Sequence, residues 1–329
     1  MTKTAKLLPI PIDTPLDEAE KLRRVEDPRN YRMGTTSEQE LMGLVIPERK
    51  FILSGLIAEK SINIVNGFRG SGKSWLMLMM ANEVSWEGEV GPWKVEAPTN
   101  VLLVDGEMPI SLLQERMKMI NKGRDIRKKE YKMWIYSEAY AYRIGLKRAS
   151  ILDSVWREWL LEETEKKKIG LLILDNLSSL APGIDENDKM AFDPVNRWLL
   201  ELRFQGVSVV MAHHTGKSGQ QRGTTAHEDH VDLAIDLTKP PGHQPHLCHF
   251  ICAITKDRAC TTEGSKIVLE LIEGKEGRMK FEWRDVKAGA GAKFSVTKED
   301  MEGVTWEEAK EKYGISRATY FRIRQQREK

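Results

Sequence analysis

Residues 67–74 read Gly-Phe-Arg-Gly-Ser-Gly-Lys-Ser, and this octet restricts the fold more tightly than any other stretch of the chain. The pattern G-x-x-x-x-G-K-[ST] works only where a β-strand runs into it and an α-helix leaves it, because its backbone N–H groups must converge at a helix N-terminus. The flanks comply: SINIVNG before it is an apolar run of strand length, and SWLMLMMANEVS after it is an apolar run of helical length. In that setting Gly67, Phe68, Arg69, Gly70, Ser71 and Gly72 wrap a nucleotide's phosphates, Lys73 neutralises their charge, and Ser74 offers a hydroxyl to magnesium. The expected cofactors are therefore ATP and Mg2+. A chance Gly-rich turn, the competing reading, gives no reason for both flanks.

From Ser61 onward, short β-rich runs (SINIVNG, NVLLVDG, LLILDN, VSVVMAH) alternate with longer amphipathic segments such as ILDSVWREWLLEETEKKK. Such alternation predicts βαβ units, hence an α/β fold with a mainly parallel sheet. After Thr224 the runs DHVDLAIDL, CHFICAIT, KIVLELIE and RMKFEW are joined by turn residues and predict antiparallel strands extending the sheet edge. The expected division is an N-terminal arm (1–49), an ATPase core (50–285), a Gly/Ala/Lys-rich linker (286–300) and a small helix-turn-helix-like unit (301–329).

Two acids follow strands. LLILD places the Asp175 carboxylate at a strand's C-terminal edge, where it can hold the magnesium shell, although a buried strand ending in Asp is also an ordinary structural feature. Glu107, in NVLLVDGEM, is the expected general base for the attacking water; Asp105 competes for that role, as does the absence of any catalytic acid here. His213 and His214 end VSVVMAHH, where a γ-phosphate could be sensed or where a histidine simply fills the core.

The bulk composition excludes little. Lys and Arg number 51 against 49 Asp and Glu, so any polyanion site must be local. Three cysteines, Cys248, Cys252 and Cys260, do not make a secreted disulfide framework, and no apolar run reaches the roughly 18 residues of a membrane span, so a cytoplasmic protein is expected. His243, His246, Cys248, His249 and Cys252 concentrate zinc-type ligands, yet strand alternation turns His249 away from the cysteines and no C-x-x-C pair occurs.

Taken in order, GFRGSGKS, VDGEM, LLILDN, AHHTGK and RGTTAHEDHVDLAI resemble the RepA-type plasmid replicative helicases and their RecA-superfamily relatives, over about Phe51 to Arg284. The resemblance implies a RecA-like P-loop core, Glu107 as catalytic glutamate, His214 as γ-phosphate sensor, and a homo-oligomer, a hexameric ring, with ATP at subunit interfaces. It also implies that Lys256 and Arg258 of ITKDRA form a finger reaching the neighbouring subunit's nucleotide; an ordinary solvated turn is the alternative. The loops SSLAPGIDENDKM and KSGQQRGTTAHED match family positions that line the ring channel, so Lys217 and Arg222 become candidates for a DNA backbone. Neither loop carries an aromatic stacking platform, and the first is net acidic.

In the tail, Thr305 and Glu308 form a capping-box pattern and Gly314 interrupts the chain. Residues 315–329 carry five basic residues against one acid, Glu328, a pattern expected of a duplex-DNA reader or a solvated basic helix. Together these features predict an ATP-hydrolysing, ring-forming helicase or translocase on single-stranded DNA, serving replication of a plasmid, phage or mobile element. A filament-forming recombination ATPase and an ATP-switched DNA-binding regulator are the alternatives.

Overall fold

The computed structural model describes residues 35–183, 189–214, 230–240, 248–259, 262–274, 277–286 and 305–306. Two units divide the chain, 1–49 and 50–329. In the first, helix α1 (Glu38–Met42) opens on a capping box: the Ser37 hydroxyl accepts from the Glu40 N–H, while the Glu40 carboxylate accepts from the Ser37 N–H at 2.9 Å.

The second unit is organised by a nine-stranded sheet. Its parallel strands are β3 (Ile62–Gly67), β6 (Asn100–Asp105), β7 (Met133–Ser137), β8 (Ile169–Asp175), β9 (Ser208–His214) and β10 (Leu233–Thr238). Strands β11 (His249–Asp257), β12 (Lys266–Glu273) and β13 (Met279–Asp285) continue it antiparallel. Across the sheet the order is β13-β12-β11-β10-β3-β9-β8-β6-β7, with β3 near the middle. Two short hairpins, β1 (Phe51–Leu53) with β2 (Ile57–Ala58) and β4 (Glu89–Val90) with β5 (Trp93–Lys94), complete the strands among the described residues. The α/β fold with a mainly parallel sheet and antiparallel edge is thus present. One expectation needs correction: DLAIDL forms β10, which lies parallel to β3, so the antiparallel extension begins one strand later.

Strand alternation divides the interior into two cores. Val65, Leu103, Leu171 and Ile173 face one side, packing with helix α2 (Lys73–Val84) and with Leu113 and Ile120 of α3 (Ile110–Ile120). Ile62, Ile64, Leu102, Leu172 and Leu174 face the other, against Leu160 of α5 (Ser154–Lys166) and Trp198, Leu199 and Leu202 of α7 (Lys189–Phe204). Helix α2 is apolar on all sides because it is enclosed: Leu76, Met77, Leu78, Met79 and Met80 are at most 1% exposed. Truncating any one to Ala costs about 2–5 kcal/mol. This rigid seat fixes the start of α2 beneath the end of β3.

Two further helices are short: α4 (Glu138–Arg143) follows β7, and α6 (Leu177–Leu180) follows β8. Among the described residues, no helix is long and apolar enough to cross a membrane.

Candidate functional site

All six parallel strands point their C-terminal ends the same way, so β3, β6, β8 and β9 deliver their terminal residues to one edge. The register shows it directly: Gly67 pairs with His214, and Asp105 with Asp175. The sequence-predicted residues Lys73, Ser74, Glu107, Asp175 and His214 therefore meet at this edge, as expected where a parallel sheet opens a crevice.

The phosphate loop turns between β3 and α2. Gly72 caps α2 with φ +92°, and a Cβ there would come 2.5 Å from the Phe250 ring and 3.2 Å from the Cys248 sulfur. Glycine is required on both counts, conformation and space. The Lys73 amine folds back into the loop, donating to the carbonyls of Gly67 (2.5 Å) and Phe68 (2.7 Å) and to the Ser71 hydroxyl (3.4 Å). Burial pushes its pKa down to about 8, against the pull of Asp175 and Glu107.

Asp175 is 6% exposed, and burial pushes its carboxyl up to about 6 although the Ser74 hydroxyl hydrogen-bonds it. Asp105 is also buried and raised by desolvation; one carboxylate oxygen accepts from the N–H groups of Glu107 and Met108, both at 3.0 Å, while the other has no partner among the described residues. Asp105 therefore shapes the turn that presents Glu107. Between them Gly106 donates its N–H to the Asp175 carbonyl at 2.8 Å. A Cβ on Gly106 would stand 2.3 Å from the Ser179 hydroxyl, so the backbone of this turn approaches α6 as closely as it can. Glu107 itself is half-exposed, with its carboxylate 4.0 Å from His214 Nε2.

His214 accepts from the Asn176 side-chain amide at 3.1 Å through Nε2. That arrangement puts the imidazole proton on Nδ1, which is buried without a partner among the described residues. Burial, then the Lys73 charge, lowers its pKa, so the ring is neutral at pH 7. His213 is 2% exposed and belongs to the interior, whereas His214 lines the cleft.

The cleft, about 620 Å³, is lined by Arg69, Gly70, Gly72, Lys73, Ser74, Trp75, Glu107, Arg116, His214 and Cys248. Sequence reasoning did not place Trp75, Arg116 or Cys248 at a nucleotide site. The Arg116 guanidinium, on α3, lies 4.6 Å from the Trp75 ring centroid, a cation–π contact that aims a second cation at the cleft. Burial pushes its pKa down, while Asp175 and Asp105 draw it back up. The Cys248 thiol faces the same space, pushed up to about 11 by burial. Of the zinc-type cluster, Cys252 is buried in the core and His243 and His246 lie outside the described residues.

The donor set fits a magnesium nucleotide. For two buried carboxyls, an amine and a guanidinium, desolvation outweighs the attraction of the opposite charges nearby, so an added cation and an added anion would each be stabilised here. Lys73 and the loop N–H groups would hold the phosphates, and Ser74 and Asp175 the metal, which would neutralise charge developing on the transferred phosphoryl group. Glu107 has the exposure to orient and deprotonate a water.

Lys256 and Arg258 are not brought here. Arg258 N donates to the Asp232 carbonyl, and Asp232 N to that of Ile62, which places them at the N-terminal end of β3. Five residues at about 3.3 Å each separate that level from Gly67, roughly 16 Å. There Asp232 accepts from Ile62 N–H (2.9 Å) and Arg203, with Arg258 3.7 Å away. Lys217, Arg222 and all of the tail except Thr305 and Trp306 lie outside the described residues.

Comparison with known proteins adds the family. No curated protein matches the chain. Among solved structures, a KaiC-like protein from the hyperthermophilic archaeon Pyrococcus horikoshii OT3 is similar, with 15% identity over 71% of this chain and 98% of that one, at a TM-score of 0.49. The AAA domain family matches residues 27–220, more than half of the chain and inclusive of the phosphate loop, Glu107, Asp175 and His214. With the phosphate loop and both acids at one sheet edge, the chain belongs to the AAA domain family and is a P-loop ATPase.

Proposed function

We propose that this ATPase is a motor on single-stranded DNA, a helicase or translocase of a replicating plasmid, phage or mobile element, assembled as a ring with ATP between subunits. The observation that carries the reading is the separation of Arg258 from the phosphate loop on one sheet, roughly 16 Å along the strands. A cation so placed serves a nucleotide only when a second copy presents its N-terminal sheet end to the first copy's cleft. Head-to-tail contact of this kind closes into a ring or opens into a filament. An arginine given in trans stabilises charge on the transferred phosphoryl group, and DNA that changes the subunit contact would then change turnover.

The experiment measures ATP hydrolysis with and without single-stranded DNA, together with solution mass in a non-hydrolysable nucleotide. Stimulation with a closed oligomer is expected. An unstimulated monomer contradicts the motor and directs attention to a regulator reading duplex DNA through residues 301–329.

A further inference from the structure

The loops singled out in the sequence for DNA contact lack an aromatic platform, but the structure exposes one elsewhere. Residues 138–148 read Glu-Ala-Tyr-Ala-Tyr-Arg-Ile-Gly-Leu-Lys-Arg and follow β7, whose last residue, Ser137, pairs with Asp105. The segment therefore leaves the sheet at the same edge as the ATP cleft, two strands from Asp175, roughly 10 Å at about 4.8 Å per strand.

Every residue from Tyr142 to Arg148 is exposed. Tyr142 is 82% exposed, Ile144 56% and Leu146 52%, an unusual density of apolar surface for seven consecutive residues. All the charges in this stretch, Arg143, Lys147 and Arg148, are positive. The one acid of the segment, Glu138, is turned to the base, where its carboxylate accepts from the Ala149 N–H at 3.1 Å.

The protrusion is built as a fixed object. Leu146 N–H donates to the Ala141 carbonyl (3.0 Å), Gly145 N–H to that of Tyr142 (3.0 Å), and Gly145 takes φ +82° to make the turn. Its base is tied to the chain just after Asp175: Ile151 N–H donates to the Leu180 carbonyl at 2.8 Å and the Arg148 guanidinium to that of Ser179 at 3.4 Å. A prefolded aromatic and cationic surface binds with little ordering cost.

We propose that residues 138–148 form a contact site for single-stranded nucleic acid, in which Tyr142 stacks a base and Arg143 and Lys147 hold the backbone phosphates. Every base offers a π face and every nucleotide a charge, so this chemistry takes a strand without reading its sequence. The link through Ser179 and Leu180 gives a bound strand a short path to the Asp175 end of the cleft. The proposal rests on the DNA-dependent reading above.

The test uses the full chain and a fluorescein-labelled oligo-dT of about 30 nucleotides, followed by anisotropy across salt concentrations. Tyr142→Ala should weaken binding about tenfold and Tyr142→Phe should restore it. Arg143→Glu with Lys147→Glu should reduce the slope of log affinity against log salt by about 1.4, two contacts at about 0.7 each. ATPase without DNA should stay unchanged in all three, which also shows them folded. Wild-type binding with unaltered affinity and salt slope in the variants overturns the site alone. Unaltered affinity with a changed solution mass overturns it in favour of a subunit contact. No binding of oligo-dT by the wild type overturns the motor reading and this site with it.

Discussion

The two ends of the central sheet are both rich in charge, yet they hold it differently. At the N-terminal end, Asp232 is surrounded by the Ile62 N–H, Arg203 and Arg258, so the carboxylate meets donors from three elements of the same chain. At the C-terminal end, Asp175 and Asp105 are buried with their pKa values raised, Lys73 is buried with its own lowered, and one oxygen of Asp105 and Nδ1 of His214 have no partner among the described residues. One end is electrostatically finished; at the other, desolvation outweighs what the neighbouring opposite charges return. A site that must bind and release a polyanion and a cation has to look like the second.

The largest expected effect separates chemistry from binding at the unfinished end. Glu107→Gln keeps the side chain's shape and removes its basicity, so turnover should fall 10²- to 10⁴-fold while ATP affinity stays within a few fold, read by steady-state hydrolysis beside nucleotide titration. Hydrolysis near the wild-type rate would return the base role to Asp105.

Asp175→Asn should show the cost of the unfinished end in stability. The folded-state pKa of Asp175, about 6, lies above its usual 3.8. This group therefore favours folding below pH 3.8 and loses that contribution as pH rises through about 6. Without nucleotide, the variant should match wild type at pH 4 and exceed it by as much as about 3 kcal/mol at pH 8, measured by denaturant unfolding. Asp232→Ala should do the reverse at the finished end, destabilising by about 2–3 kcal/mol by leaving Arg203 without its carboxylate, with ATP affinity of the single chain unchanged.

The smallest effect concerns Lys73. Phosphates favour its ammonium form, so an amine with pKa about 8 takes up a proton on binding, and ATP affinity should fall about tenfold from pH 7 to pH 9. A flat profile would mean that Lys73 is fully charged before nucleotide arrives.

The unfinished end was legible in the sequence because its parts are local. A glycine loop between a strand and a helix, and acids terminating apolar runs, carry their meaning within eight or ten residues. Arg116 was not legible: on α3 it reads as one more solvated cation, and only the fold lays it over Trp75, 41 positions earlier. The direction of β10 was misread for a related reason. DLAIDL is strand-like either way, and its parallel run against β3 is set by pairing over about 170 positions, which alternation does not encode. Strand β7 escaped notice because MWIYS is short, half-exposed and without a clean period, and with it went the exposed tyrosines that follow.

We read the C-terminal sheet end as a magnesium-nucleotide site organised around Lys73. Calorimetric titration of Mg-ATP into the wild-type chain and Lys73→Ala tests it most directly. Saturable binding by the wild type and at least a hundredfold loss in the variant, which still unfolds cooperatively, are expected; comparable affinity in both would contradict that reading.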